Sequence, residues 1–124
     1  DVVYAAAGGT GVGVLQTAAD SDILSIGVDS NQNYLHPGQV LTSMLKRVDN
    51  AVFAAFSEGA DMETGIHVMD LAAGGVGWAL DEHNDALITQ EMRDAVAAAE
   101  ASIISGDLMV HDYMSDNSCP ISVD

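Results

Sequence analysis

A glycine-rich turn and one aspartate are the first residues in this sequence whose types and spacing could bind a ligand. The run Gly8-Gly9-Thr10-Gly11 follows a short apolar segment, and Asp29 lies 20 residues after Gly9. Glycines let a ligand approach backbone N–H groups, and a carboxylate accepts hydrogen bonds from two neighbouring sugar hydroxyls. We therefore predict recognition of a vicinal diol such as a ribose. A turn that needs glycine only for packing and an aspartate that only caps a loop are the alternatives.

The same separation between a glycine turn and an acid occurs in dinucleotide-binding folds, where the acid holds a ribose. However, the glycines Gly9, Gly11 and Gly13 do not form the GxGxxG pattern. No Lys-Ser or Lys-Thr pair follows the turn either, as it does in a phosphate-binding P-loop. The dinucleotide-binding half of an oxidoreductase is therefore the alternative function.

Two of the three basic side chains, Lys46 and Arg47, are adjacent in a chain with 19 acidic residues. Against that background either an ion pair with a carboxylate or a ligand contact is possible for each. The four histidines are far apart and do not form a metal-binding pattern, and the residue order supports no Ser, His and acid constellation. We expect no catalytic residue, metal or cofactor.

Length and charge limit the class of protein. The chain has 124 residues, which is enough for one domain. Its formal net charge of −16 leaves no basic patch. Without such a patch, nucleic acid and anionic lipid headgroups are excluded as partners. The excess of Asp and Glu over Lys and Arg also raises the hypothesis of a salt-adapted source, with an ordinary acidic surface as the alternative.

The elements that must position these residues follow an α/β pattern. Residues 2–7 and 23–28 are short apolar runs typical of buried strands, and the segment between them has helical spacing with Thr10 as a plausible N-cap. A strand, a helix and a strand in so short a segment predict a βαβ unit with parallel strands. The turn and Asp29 would then follow neighbouring strands at one edge of the sheet.

Further strands and helices continue the alternation. We predict strands over residues 40–45 and 65–71 and a loosened segment at 74–77. A helix capped by Asp49 and ending at Gly59 would present Val52, Phe53 and Phe56 on one face. A second helix would be capped by Thr89 and stop before Gly106. The tail from residue 107 to 124 is predicted to contain strand fragments and loop.

Four sequence blocks, taken together, carry a family resemblance. In chain order they are AAAGGTGVGV, IGVDSNQ, PGQVLTSMLKRVDNAV and GGVGWALDEHN. They resemble the carboxyl-terminal part of the basic membrane protein family, which comprises PnrA-like nucleoside-binding lipoproteins of ABC importers. The resemblance extends from Asp1 to about Ser105.

The resemblance implies an α/β, parallel-sheet lobe of the type I periplasmic-binding-protein kind, as a fragment of a two-lobe protein. Residues 1–124 would be the carboxyl-terminal portion, without the amino-terminal lobe. The protein would bind a nucleoside or a similar neutral ribose-containing solute between the lobes and deliver it to an ABC permease. It would act outside the cytoplasmic membrane, anchored by lipid. By the same resemblance Asp29 is a ribose contact, Gly8, Gly9 and Thr10 form the cleft loop, and Lys46 is a further ligand contact.

Overall fold

The computed structural model describes residues 1–121, which form a four-stranded sheet with helices around it. The strands are β1 (Val2–Tyr4), β2 (Leu24–Gly27), β3 (Val40–Lys46) and β4 (Val76–Trp78), and they lie side by side in the sheet in the same order as along the chain. The first three are mutually parallel, whereas β4 pairs with β3 in the antiparallel direction. The predicted α/β class is confirmed, and the parallel sheet is completed by one antiparallel edge strand.

The predicted βαβ unit is present and packs through small apolar side chains. Helix α1 (Gly11–Asp20) follows a short 3-10 turn at 8–10 and buries Leu15 and Ala18. Thr10 does not cap α1 with its side chain, which corrects the prediction. Its φ of −65° and ψ of −26° are already helical, because the turn continues directly into the helix and leaves no extended cap residue.

Helix α2 (Val48–Glu58) begins one residue before the predicted cap, so Asp49 lies in the first turn. The predicted end at Gly59 is confirmed. The aromatic side chains of its apolar face are not covered, since Phe53 is 74% exposed and Phe56 is 83% exposed. Helical periodicity marks a face that is able to pack, but nothing in the described chain packs on it.

The predicted strand at residues 65–71 is wrong. This segment has no regular secondary structure, and the chain instead turns back where Gly75 N–H donates to Asp70 O at 2.8 Å. The residues after that turn form β4, whose Trp78 pairs with Met44 on β3. A β-favouring composition is not sufficient to make a strand, because a partner strand must be available beside it.

Helix α3 (Gln90–Ser105) has the predicted ends. Thr89 Oγ1 accepts a hydrogen bond from Met92 N–H at 3.2 Å, and Gly106 adopts a left-handed φ of 83°. An apolar groove of about 400 Å³ lies between α3 and the strands β3 and β4. No helix among residues 1–121 is long and apolar enough to cross a membrane.

The tail differs from its prediction. In its described part, Tyr113–Asp116 form a short helix, α4, where strand fragments and loop were expected. Asp112 caps this turn by accepting from Met114 N–H at 2.9 Å, a local side-chain contact that favours a helical turn. The remainder of the predicted tail, residues 122–124, lies outside the described residues.

The most deeply buried part of the fold is polar. Among the described residues, the side chains with relative exposure below 2% are Val40, Asn33, Asn84, Ser25 and Ser43. They lie on β2, β3 and the loops beside these strands. The centre of the molecule is therefore held by hydrogen bonds as much as by apolar packing.

Candidate functional site

The predicted site residues lie at the carboxyl ends of three neighbouring strands. The turn at 8–10 follows β1, Asp29 follows β2, and Lys46 is the last residue of β3. Because these strands are parallel, the three positions share one edge of the sheet, the edge at which ligands of open parallel sheets bind.

Asp29 and Lys46 form the closest pair at this edge. Lys46 Nζ lies 3.3 Å from Asp29 Oδ1, and its backbone N–H donates to Asp29 O at 2.8 Å. The Asp29 side chain is 53% exposed, and no described residue donates a hydrogen bond to its Oδ2. The pair therefore offers an accessible hydrogen-bond acceptor beside an accessible cation.

The backbone of Asp29 is unusual. Its φ is 70°, in the left-handed region that few residues other than glycine adopt. Ser30 N–H donates to Val28 O at 2.9 Å and closes a tight turn around it. The conformation directs the chain away from the sheet immediately after β2, which leaves the carboxylate at the rim.

The glycine turn lies at the same edge of the sheet, and its residues face two different surfaces. At Gly8 and Gly9 no atom lies within 4 Å of the position that a Cβ would occupy, so this surface is open. Gly8 has a left-handed φ of 53°, which glycine adopts without steric cost. Thr10 lines a separate groove of about 440 Å³ beside α1, with Val14 and Ile23. The described hydrogen bonds do not connect the turn to Asp29.

Each of the three basic side chains is paired with an aspartate. Besides Lys46, Arg93 contacts Asp85 at 2.7 Å, and Arg47 contacts Asp49 at 2.7 Å. The hydrogen bond from Arg47 lowers the pKa of Asp49 below its ordinary value. For Arg47 the predicted alternative of an ion pair is confirmed, whereas Lys46 has both a carboxylate partner and a place at the ligand edge.

A buried hydrogen-bond network beneath Asp29 was not predicted from the sequence. Gln32 Oε1 accepts from Val28 N–H at 2.9 Å, and Gln32 N–H donates to Ser43 Oγ at 2.9 Å. The Ser43 hydroxyl donates to Asn33 Oδ1 at 2.8 Å. The run of three amides at 31–33, directly after the predicted acid, is the signal in the sequence that could have indicated it.

Asp81, on the loop after β4, completes this network. Its Oδ2 accepts from Asn31 at 2.7 Å and from Asn33 at 3.1 Å, and its Oδ1 accepts from the His83 N–H at 2.8 Å. The hydrogen bond from Asn31 is the main cause that lowers the pKa of Asp81, with the His83 and Asn33 bonds adding to it and burial opposing it. The carboxylate is thus ionised and fully engaged.

One group among residues 1–121 has the geometry to hold a metal ion. Asp81, Glu82 and His83 each offer one ligand atom, and these atoms lie within 4.8 Å of one another. Both Asp81 oxygens already accept hydrogen bonds from Asn31, Asn33 and a backbone amide. These contacts give the Asp81 carboxylate a structural function, and we assign no metal to the group.

Comparison with known proteins relates this arrangement to transport proteins. Residues 1–112 match the family described as ABC transporter substrate-binding protein PnrA-like. The chain is 35% identical to the ABC transporter nucleoside-binding protein BmpA of Lactococcus lactis, over 89% of this chain and 36% of the relative. It is 38% identical to basic membrane protein D of Borreliella burgdorferi, over 53% of this chain and 19% of that protein.

Two solved structures have the same fold. A transcriptional activator of the comK gene from Bacillus halodurans matches with a TM-score of 0.74 and 27% identity, over 90% of this chain and 39% of its own. An ABC transporter solute-binding protein from Aeropyrum pernix matches with a TM-score of 0.71 and 23% identity, over 92% of this chain and 42% of its own. The chain therefore spans well under half the length of these relatives.

Proposed function

The chain belongs to the PnrA-like family of ABC transporter substrate-binding proteins, and from this membership we propose that it forms most of one lobe of a nucleoside-binding protein. The ligand is a nucleoside or a related neutral ribose-containing solute, bound in a cleft between this lobe and a second one. The protein hands the solute to an ABC permease and takes no part in catalysis.

The geometry of Asp29 is the observation that carries the proposal. Its exposed carboxylate stands at the carboxyl edge of parallel strands, with Lys46 Nζ at 3.3 Å from one oxygen. A carboxylate accepts from both hydroxyls of a vicinal diol, and a neighbouring ammonium donates to a ring or hydroxyl oxygen. In this proposal the open surface over Gly8 and Gly9 accommodates the ligand beside the pair, and Thr10 belongs to the same loop.

Net charge supports a solute without phosphate. The chain carries −16, and each basic side chain already has an aspartate partner. A nucleotide brings negative charge to this surface and meets repulsion, whereas a nucleoside does not.

The surface area supports the second lobe. The chain exposes 8685 Å², whereas a compact monomer of its mass exposes about 6,300 Å². The excess is of the size expected when a large packing surface is not covered by a second lobe.

A location outside the cytoplasmic membrane, with a lipid anchor, belongs to the same transport role and is part of the proposal.

The test is ligand protection of the intact natural polypeptide that contains this sequence. Thermal unfolding is measured with an excess of adenosine, guanosine, uridine or cytidine, and with the corresponding 5′-monophosphates. Stabilisation by at least one nucleoside, with much less by its monophosphate, is expected because only binding to the folded state raises the melting temperature. Equal protection by both members of a pair contradicts the proposal.

The alternative of a dinucleotide-binding oxidoreductase half is tested on the same polypeptide by a second measurement. The family comparisons name substrate-binding proteins, not enzymes. Titration with NADH, followed by its fluorescence, should therefore give no saturable signal. Saturable binding of NADH without protection by any nucleoside would favour the enzyme alternative.

A further inference from the structure

The geometry points to Asp81 as a positioning residue that holds the Asp29 loop, residues 28–35, in its ligand-binding shape. This inference rests on the proposed function for the identity of the ligand, but not for the contacts themselves. Asp81 lies on the loop after β4, 52 positions along the chain from Asp29. Its carboxylate would influence ligand affinity through the loop and without touching the solute.

The first step of the connection is the contact between the two loops. Asp81 Oδ2 accepts from Asn31 at 2.7 Å and from Asn33 at 3.1 Å, while Asn33 N–H donates to Asn31 Oδ1 at 3.0 Å. Asn33 is fully buried. One charged oxygen therefore fixes two side chains of the Asp29 loop at once, and bonds to an ionised acceptor are stronger than neutral ones.

The second step runs from Asn33 to the end of β2. The Ser43 hydroxyl donates to Asn33 Oδ1 at 2.8 Å and accepts from Gln32 N–H at 2.9 Å. The Gln32 side chain then accepts from Val28 N–H at 2.9 Å, one residue before Asp29. The Ser43 and Asn33 side chains each both donate and accept in this path, so a change at one end alters the next bond.

Asp81 itself is anchored to the sheet. Its N–H donates to Asn84 Oδ1 at 2.8 Å, and Asn84 Nδ2 donates to Leu41 O at 2.9 Å and to Ala79 O at 3.0 Å. Asn84 is fully buried. Asp81 is thus held in place against β3 and β4, and its carboxylate binds the Asp29 loop through hydrogen bonds.

The position of Asp29 requires such support. A φ of 70° is uncommon for a residue with a Cβ and persists only where the surrounding structure holds it. The backbone bond from Lys46 N–H to Asp29 O fixes one side of the turn, and the network fixes the other through Val28. Loosening the network frees the carboxylate to leave its place beside Lys46.

The test begins with Asp81→Asn in the intact natural polypeptide. This change keeps the shape, but in either orientation of the new amide its N–H₂ group faces hydrogen-bond donors, either those of Asn31 and Asn33 or the His83 N–H. We expect nucleoside affinity to fall about tenfold, the effect of losing a charge-assisted hydrogen bond. Asn31→Ala, at an exposed position, removes the 2.7 Å bond to Asp81 together with the bond from Asn33 N–H to Asn31 Oδ1, and serves if Asp81→Asn does not fold.

Exchange of the two partners provides a rescue. In Asn31→Asp/Asp81→Asn the carboxylate is on the other loop and accepts from the new amide at position 81, so affinity should return towards the wild-type value. Asn31→Asp alone places two carboxylates together and should weaken binding. A role of Asp81 in stability alone predicts unchanged affinity in folded Asp81→Asn, and that result overturns the inference, as does reduced affinity in Asp81→Asn that does not recover in the exchanged pair.

A measurement without ligand separates this inference from the proposed function. Hydrogen exchange of the Val28 and Lys46 amides should quicken in Asp81→Asn, while the Gly106 amide at the end of α3 serves as an unaffected reference. If the wild type binds no nucleoside, the proposed function fails while faster exchange still supports the positioning role. Unchanged exchange at Val28 and Lys46 overturns it.

Discussion

Asp29 combines three properties that suit the proposed ribose contact: exposure, a place at the strand ends and a neighbouring cation. Its carboxylate is half exposed and close to Lys46, so its charge is partly balanced but accessible. Exposed ion pairs contribute little to stability. The cost of removing Asp29 should therefore appear in ligand binding more than in folding.

Asp29→Ala should weaken the binding of ribosides by about 1.5–3 kcal/mol, the value of hydrogen bonds to a charged group. Binding of the free base should change far less, because the base lacks the diol. Calorimetric titration of the intact polypeptide with a nucleoside and its base measures both. Glu63→Ala, which removes an exposed acid from the segment after α2, is the control and should leave both affinities unchanged. An equal loss for base and riboside would contradict a ribose contact.

Asp81 makes stability depend on pH in the acid range. Its pKa is lowered in the folded state, chiefly by the Asn31 bond, and returns to about 3.9 when the chain unfolds. A lowered folded pKa stabilises the protein fully above the unfolded value, and this contribution is lost as pH falls through the folded pKa. Melting temperatures should therefore decline less below about pH 4 in Asp81→Asn than in the wild type. A parallel decline in both proteins would exclude this role.

At the scale of elements, the close approach of β2 and β3 determines where the site forms. A Cβ at Gly27 would collide with Ser43 Oγ and would lie 2.9 Å from Gln32 Cβ. Both partners belong to the buried network and are held by hydrogen bonds. The glycine therefore allows the network to sit directly against the strand that leads to Asp29.

Gly27→Ala should destabilise the fold by about 1–3 kcal/mol through overpacking. Gly13→Ala is the matched control, since no atom lies within 4 Å of its Cβ position and it is inside α1. There alanine should stabilise the helix by about 0.5–1 kcal/mol. Urea unfolding curves of the two variants measure the difference. A neutral Gly27→Ala variant would mean that Ser43 and Gln32 can move aside at little cost.

The elements predicted well from the sequence are those defined by neighbouring residues. Helix α3 has its cap at Thr89 and its stop at Gly106, and the βαβ unit has glycine and aspartate at its turns. The error at 65–71 arose because pairing with β3 is a contact distant in sequence. The role of Asp81 was missed for the same reason, because its partner Asn31 is 50 positions away in the sequence. The shared edge of Asp29 and the glycine turn could be predicted, but the network that supports Asp29 could not.

At the scale of the whole molecule, acidity is the dominant property. The net charge is −16, and each basic side chain is already paired with an aspartate. The remaining carboxylates repel one another across the surface, and this repulsion destabilises the compact state at low ionic strength.

Melting temperature should therefore rise between about 0.1 and 1 M KCl, where the screening length falls from about 10 to 3 Å. Replacement of three exposed acids at and after the end of α2 by amides should reduce this rise by lowering the repulsion; the residues are Glu58, Asp61 and Glu63. Thermal unfolding of both proteins at several salt concentrations provides the measurement. A wild-type melting temperature that does not rise with salt would remove the hypothesis of salt adaptation.

The polar centre of the molecule has a thermodynamic consequence. Of the five most deeply buried side chains among the described residues, four are Asn or Ser. Hydration of newly exposed polar groups lowers the heat capacity of the unfolded chain, whereas hydration of apolar groups raises it. The heat-capacity increment per residue should thus be small, which flattens the stability curve and moves cold denaturation to lower temperature.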